Sequence, residues 1–199
     1  MSNLKSILRK ELDWLNSKFP VILRLLQSKP SLLGHSLHVV NIAIVIAREI
    51  GMNEEETVQL SRGCIVHDIG KAYWPEAYDT KPILLDEERI FIKSHCEAGY
   101  NFLKANGYPL EYSLISLQHH ERCNGYGYPY RLSNNALSAG IKIAAIADAY
   151  EAMTNKRSYR NFVFTSNDAL NVLAEDPGYE RNLVQVLQNI ESSKIKELV

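Results

Sequence analysis

Five of the six histidines in this chain fall into a pattern with aspartates. In order they are His35, His67 followed at once by Asp68, His95, the adjacent pair His119 and His120, and finally Asp148. A lone inward-facing imidazole is ordinarily a hydrogen-bonded core residue. A buried carboxylate without a partner is far more costly. The whole set becomes tolerable if its members share metal ions, because coordination satisfies each lone pair. Five imidazoles and two carboxylates exceed the needs of one ion. Asp68 has two oxygens and can bridge a pair. Two ions about 3.5–4 Å apart stabilise both the attacking and the leaving oxygen in phosphoryl transfer. Mixed imidazole and carboxylate donors favour iron, manganese or zinc over magnesium.

The elements that must carry these residues read as helices. Apolar residues recur at spacings of three and four. An N-terminal helical arm is expected over residues 1–30, in two segments near 4–18 and 20–28, broken at Pro20 and ended before Pro30. A helix from His35 to Ile50 stops at Gly51. Asn53 caps the next, with Glu54, Glu55 and Glu56 at its positive end, and this helix stops near Gly70. A loop follows from Ala72 to Leu85. One helix is expected from Asp86 to Gly107, another over about 110–121, then a loop over 122–137. Ser138 caps a helix through Asp148. Ser166 and Pro177 bracket a further helix, and Leu183, Leu187 and Ile190 stripe the last. No segment reads as a strand. The expected fold is an all-α multi-helix bundle, with residues 31–199 forming the main domain.

Composition narrows the partners. With 22 Lys+Arg against 23 Asp+Glu the net charge is −1, which excludes a strongly basic nucleic-acid binder. Hydrophobic residues at 46% argue against disorder. Three cysteines at wide spacings exclude a disulfide framework, so a reduced cytoplasmic setting is expected. No uninterrupted apolar run suits a membrane span. Cys64, Cys96 and Cys123 are expected to be small buried thiols.

At this level the motifs resemble a known family. HDIGK at 67–71 resembles the signature of HD phosphohydrolases. HHERCNGYGYP at 119–129 resembles the second signature of the HD-GYP subgroup. KSHCEAG carries His95 between them, and IADAYEAMTNKRSYR at 146–160 resembles the subgroup's aspartate-bearing helix and basic turn. The likeness covers about 31–175.

This resemblance implies roles. His35, His67, Asp68 and Asp148 would hold a first divalent ion. Asp68 would bridge to a second, held by His95, His119 and His120. Lys71 would reach a phosphate oxygen, so Asp68 and Lys71 are the expected catalytic residues. Tyr128, Arg157 and Arg160 would surround the nucleotide. The implied activity is hydrolysis of cyclic di-GMP to pGpG or GMP, by in-line attack of a metal-bridging hydroxide. The cofactors would be two divalent ions, iron or manganese before zinc. Two such ions and two aspartates leave a formal charge of about +2, to which Lys71 adds, and a phosphodiester suits that field. The rival readings are an HD phosphohydrolase for another nucleotide or cyclic dinucleotide, and a non-catalytic sensor or partner-binding domain.

Two departures stand out. Members with a third metal carry a glutamate four residues before the first ligand, where this chain has Ser31. The subgroup's usual Trp-Asp is Cys123-Asn124 here. Two ions are therefore expected rather than three. His38 is expected to be a plain surface or supporting residue. Glu121 and Arg122 are read either as orienting His119 or His120, or as an exposed pair. Gly125, Gly127 and Pro129 are expected to shape a turn. Tyr73, Trp74 and Tyr78 are equally suited to stacking a base or plugging the domain edge. Leu4, Leu8, Leu12 and Leu15 are expected to pack the arm on the domain, the alternative being a homodimer or regulatory-protein contact.

Overall fold

The computed structural model describes residues 2–75, 85–156 and 162–190. These residues form ten α-helices: α1 (Ser2–Lys18), α2 (Pro20–Gln27), α3 (Pro30–Glu49), α4 (Glu54–Val66), α5 (Asp86–Lys93), α6 (His95–Ala105), α7 (Leu110–Gln118), α8 (Ala139–Thr154), α9 (Ser166–Glu175) and α10 (Arg181–Asn189). Short 3-10 helices lie at Ile69–Tyr73 and Asn134–Ala136. No strand occurs among the described residues beyond an isolated Asn124–Ser133 bridge. The all-α expectation holds.

Helix α3 forms the spine. It buries Val39, Val40, Ile42, Ala43, Ile44 and Ile46, and packs against α4 and α8. It is long and apolar enough to cross a membrane by length and composition, but half of that window is buried in the bundle and its site-facing turn carries His35 and Ser36. It begins at Pro30 rather than His35. Proline has no N–H to lose and suits the first helical turn. Thus His35 sits more than a turn inside a regular helix, where its direction is set.

The arm packs on the domain. Leu15 is buried, and Leu4, Leu8 and Leu12 lie against the core. The buried Glu11 accepts from Arg62 Nε at 2.7 Å, and the Arg62 guanidinium lies 3.6 Å from the centre of the Trp14 ring. Asn53 caps α4 in a reciprocal box with Glu56, as its sequence suggests.

Other boundaries differ from expectation, each for a local reason. The expected 86–107 helix is two helices parted at Ser94. There the Ser94 hydroxyl bonds back to Phe91 O at 2.6 Å, competing with the helical ladder. Helix α7 ends at Gln118, not near 121, so His119 lies at its cap. The residues after Val66 tighten into a 3-10 turn through Tyr73 instead of entering a loop at Ala72. Helix α9 does begin at Ser166, with Thr165 as its cap accepting from Asp168 N at 3.2 Å.

Candidate metal centre

Five elements converge on one buried point. Helix α3 supplies His35, the end of α4 supplies His67 and Asp68, and α8 supplies Asp148. The start of α6 and the end of α7 supply His95, His119 and His120. Gly70 makes the convergence possible. A Cβ there would overlap the carbonyl oxygen of His95, so the backbone after Asp68 lies directly on the start of α6. Ser116 Oγ on α7 donates to His67 O at 2.8 Å and ties the third limb in.

Asp68 lies between two groups of imidazoles. Its Oδ2 is 3.5 Å from His35 Nε2 and 3.4 Å from His67 Nε2. Its Oδ1 is 3.2 Å from His95 Nε2 and 3.5 Å from His119 Nε2. Asp148 Oδ1 completes the first group, 3.0 Å from His35 Nε2 and 3.7 Å from His67 Nε2. His35, His67, Asp68 and Asp148 each offer one donor atom within 4.8 Å of the others. So do His95, Cys96, His119 and His120. All seven residues expected as ligands are thus brought together.

Four of the rings are aimed by bonds on the nitrogen facing away. His67 Nδ1 bonds Cys64 O at 2.8 Å, and His95 Nδ1 bonds Ile92 O at 2.6 Å. His119 Nδ1 lies 3.1 Å from Ile115 O and 3.0 Å from Ser116 O. These are carbonyls near the α4, α5 and α7 C-termini, where the helical ladder runs out of donors. His35 Nδ1 instead meets the buried carboxylate of Glu151 at 2.5 Å. Each bond leaves Nε2 turned toward Asp68, the arrangement by which proteins orient metal-binding imidazoles. His67 Nε2 and Asp68 Oδ1 are buried with no hydrogen-bond partner. Such orphaned donors fit a bound cation.

The electrostatics divide the two groups. Burial lowers His35 and His67, but Asp148 and Asp68 outweigh it, raising His35 well above its ordinary value and His67 to about 9. Burial favours the neutral form of Asp68, yet Lys71 and His67 hold its carboxyl well below the usual range. Asp148 is held low in the same way by His35 and His67. Burial and the neighbouring His67 take His119 down to about 4. Burial and His119 hold His120 well below its ordinary value. One group is therefore an ion-paired cluster, while His119 and His120 are neutral at pH 7, as ligands must be.

Lys71 Nζ lies 2.5 Å from Asp68 Oδ2 with its side chain partly exposed. Tyr128 stacks on His120, with centroids 4.6 Å apart and planes at 27°. Arg157, Arg160 and Tyr78 lie outside the described residues. Trp74 meets the His95 ring edge-on at 5.5 Å, while Tyr73 is largely exposed against Phe102.

Glu121 is buried, so it is not part of an exposed pair. It orients no imidazole directly. Its oxygens accept from Tyr130 N at 2.7 Å and Leu132 N at 2.9 Å, clamping the loop after His120. Gly127 lets that loop close, since a Cβ there would overlap the Glu121 backbone. Arg122 donates to His119 O at 3.1 Å. The sequence reading passed over Glu151. Its signal was present: it lies one helical turn beyond Asp148 on α8. His38, expected as a plain surface or supporting residue, has a partly exposed side chain with Nδ1 3.6 Å from Glu151 Oε1.

Comparison with known proteins agrees with this geometry. Residues 20–183 match the HD domain family. The chain is 33% identical over 141 residues to the cyclic di-GMP phosphodiesterase response regulator RpfG of Xanthomonas campestris pv. campestris, covering 69% of this chain and 37% of that protein. It is 33% identical over 144 residues to 3'3'-cGAMP-specific phosphodiesterase 1 of Vibrio cholerae, covering 71% of this chain and 33% of that protein. The chain thus spans about a third of the length of these curated relatives. The structure of Bd1817, an HDG"Y"P protein from Bdellovibrio bacteriovorus, superposes with a TM-score of 0.69 at 20% identity, covering 80% of this chain and 52% of that one. With a matched fold, a converged His/Asp cluster and the HDIGK motif in place, the chain belongs to the HD-domain family.

Proposed function

We propose that this chain is a metal-dependent phosphodiesterase that hydrolyses cyclic di-GMP to pGpG or GMP. The observation that carries the reading is Asp68, whose two oxygens face two separate groups of imidazoles. The names of the relatives support the substrate class, a cyclic dinucleotide.

His35, His67, Asp68 and Asp148 would hold one divalent ion. His95, His119 and His120, with Asp68 shared, would hold the other. Iron or manganese suits the oxygen-and-nitrogen donors, with zinc also compatible. When bound, such ions supply Lewis acidity toward the phosphodiester and activate water. The remaining work falls to the chain. Glu151 and the helix-end carbonyls keep the imidazole Nε2 atoms directed inward. Lys71, beside Asp68 and partly exposed, would meet a phosphate oxygen. Tyr128 couples the nucleotide side of the site to His120 through its ring contact. Arg157 and Arg160 would pair with the second phosphate or a guanine edge of the substrate.

The test is product analysis with the metal-loaded chain on cyclic di-GMP and 3'3'-cGAMP in parallel. Conversion of cyclic di-GMP to pGpG or GMP, with loss of both turnover and bound metal in Asp68→Ala, is the expected result. Faster turnover of 3'3'-cGAMP would move the substrate assignment within the class. Binding without turnover of either would favour a sensor domain. Retained turnover in Asp68→Ala would overturn the shared-carboxylate mechanism.

A further inference from the structure

Cys96 follows His95 at the start of α6 and is fully buried. Its Sγ lies 3.6 Å from His95 Nε2. The sulfur and one nitrogen from each of His95, His119 and His120 all lie within 4.8 Å of one another. Cys64 is equally buried but belongs to no such group among the described residues.

Two of the spacings match those expected between ligands of one ion. Bonds of about 2.0–2.1 Å to imidazole nitrogen and about 2.3 Å to sulfur, at tetrahedral angles, put nitrogens about 3.3–3.4 Å apart and nitrogen about 3.5–3.6 Å from sulfur. The structure has 3.3 Å between His95 Nε2 and His119 Nε2. It has 3.6 Å between His95 Nε2 and Cys96 Sγ. His95 Nε2 is the common corner of both edges.

We propose that Cys96 is a further protein ligand at the His95–His119–His120 position. With the shared Asp68 oxygen, that position then offers sulfur as well as nitrogen and oxygen, and it favours zinc or ferrous iron over manganese. This rests on the metal-centre reading above. On binding, the S–H bond breaks, its proton leaves to solvent, and the thiolate electron pair forms the bond to the ion, with no change of oxidation state. The group formed by His35, His67, Asp68 and Asp148 has no sulfur, so the two positions rank divalent ions differently.

The test is anaerobic titration of the metal-free full chain with cobalt(II), read by absorption. Visible ligand-field bands report cobalt held by the histidines and aspartates. A near-ultraviolet charge-transfer band reports a sulfur–cobalt bond. Both are expected in the wild-type chain. The charge-transfer band should persist in the Cys64→Ala/Cys123→Ala double variant, where Cys96 is the sole thiol. It should be lost in Cys96→Ser while visible bands remain. Visible bands without charge transfer in the wild type would overturn the proposal and leave the metal-centre reading standing. Loss of charge transfer in a folded double variant would overturn it equally. Absence of every cobalt band from a folded chain would overturn the metal-centre reading, and the proposal with it. The wild-type spectrum and the double variant decide the matter even if Cys96→Ser does not fold.

Discussion

Glu151 Oε2 lies 2.5 Å from His35 Nδ1, with both side chains buried. The carboxylate keeps the His35 ring turned so that Nε2 faces Asp68 and Asp148. Glu151→Gln retains the shape and removes the charge. It is expected to weaken metal binding about 10–100-fold, the usual effect of losing such a supporting group. Competition titration with a chromogenic chelator measures this, with circular dichroism as the check on folding. Unchanged affinity would show that Glu151 serves packing alone.

Two ions per chain are expected, not three. No Asp or Glu occurs between Trp14 and Arg48, and Ser31 is exposed. The nearest buried carboxylate outside the seven ligands, Glu151, is already engaged by His35. Elemental analysis together with anomalous scattering on loaded crystals counts the ions. Three well-occupied positions held by side chains would refute this.

Replacing Arg157 and Arg160 together with Ala is expected to raise the KM for cyclic di-GMP about tenfold or more, on the scale of losing a charge-assisted hydrogen bond. Metal content and hydrolysis of a small generic phosphodiester should be spared. Equal loss on both substrates would point to misfolding or to damage at the metals.

Glu121→Ala removes the acceptor of two backbone N–H groups, those of Tyr130 and Leu132. A destabilisation of about 1–3 kcal/mol is expected, read as a lower urea midpoint. Limited proteolysis should show new cleavage within 124–133. A midpoint within error of wild type would mean that water replaces the clamp at no cost.

Metal uptake should release protons at pH 7. In the metal-free chain Asp68 and Asp148 outweigh burial and raise His35, and take His67 to about 9. Both must be neutral to bind an ion, so affinity rises as pH approaches 9 and falls in acid. His119, at about 4, is already neutral, and Asp68 and Asp148 are already ionised, so they contribute none. Calorimetry at pH 7 in two buffers of different ionisation enthalpy should give roughly two protons per chain from His35 and His67, and about one more from Cys96 as a ligand. No proton release would show that the cluster is not ion-paired before loading.

Much of this was legible in the residues. The stripe from Val39 to Ile46 and the Asn53 cap carry their own local signals, and α3 and α4 formed accordingly. Of the seven proposed ligands, His35, His67, His95 and Asp148 were legible as ionisable residues on apolar stripes, while Asp68, His119 and His120 were legible only through their adjacency and the motifs they belong to. The break at Ser94 was not, because no Gly or Pro marks it and the stop is made by one hydroxyl on one carbonyl. The end of α7 was hidden for a similar reason: the His119 ring itself takes the freed carbonyls. The partners of Glu121 and Glu151 were not legible, since only the tertiary fold brings Tyr130 N, Leu132 N and His35 opposite them. Cys96 reads as a small apolar residue until the imidazoles close around it.

The close seating of Gly70 on α6 governs how the centre tolerates change at that position. The interval between the two groups of donors is gauged by main chain resting on main chain, not by interdigitated side chains. A single methyl group at position 70 would act as a wedge between the halves of the centre. The molecule thus keeps a fixed ruler inside its core.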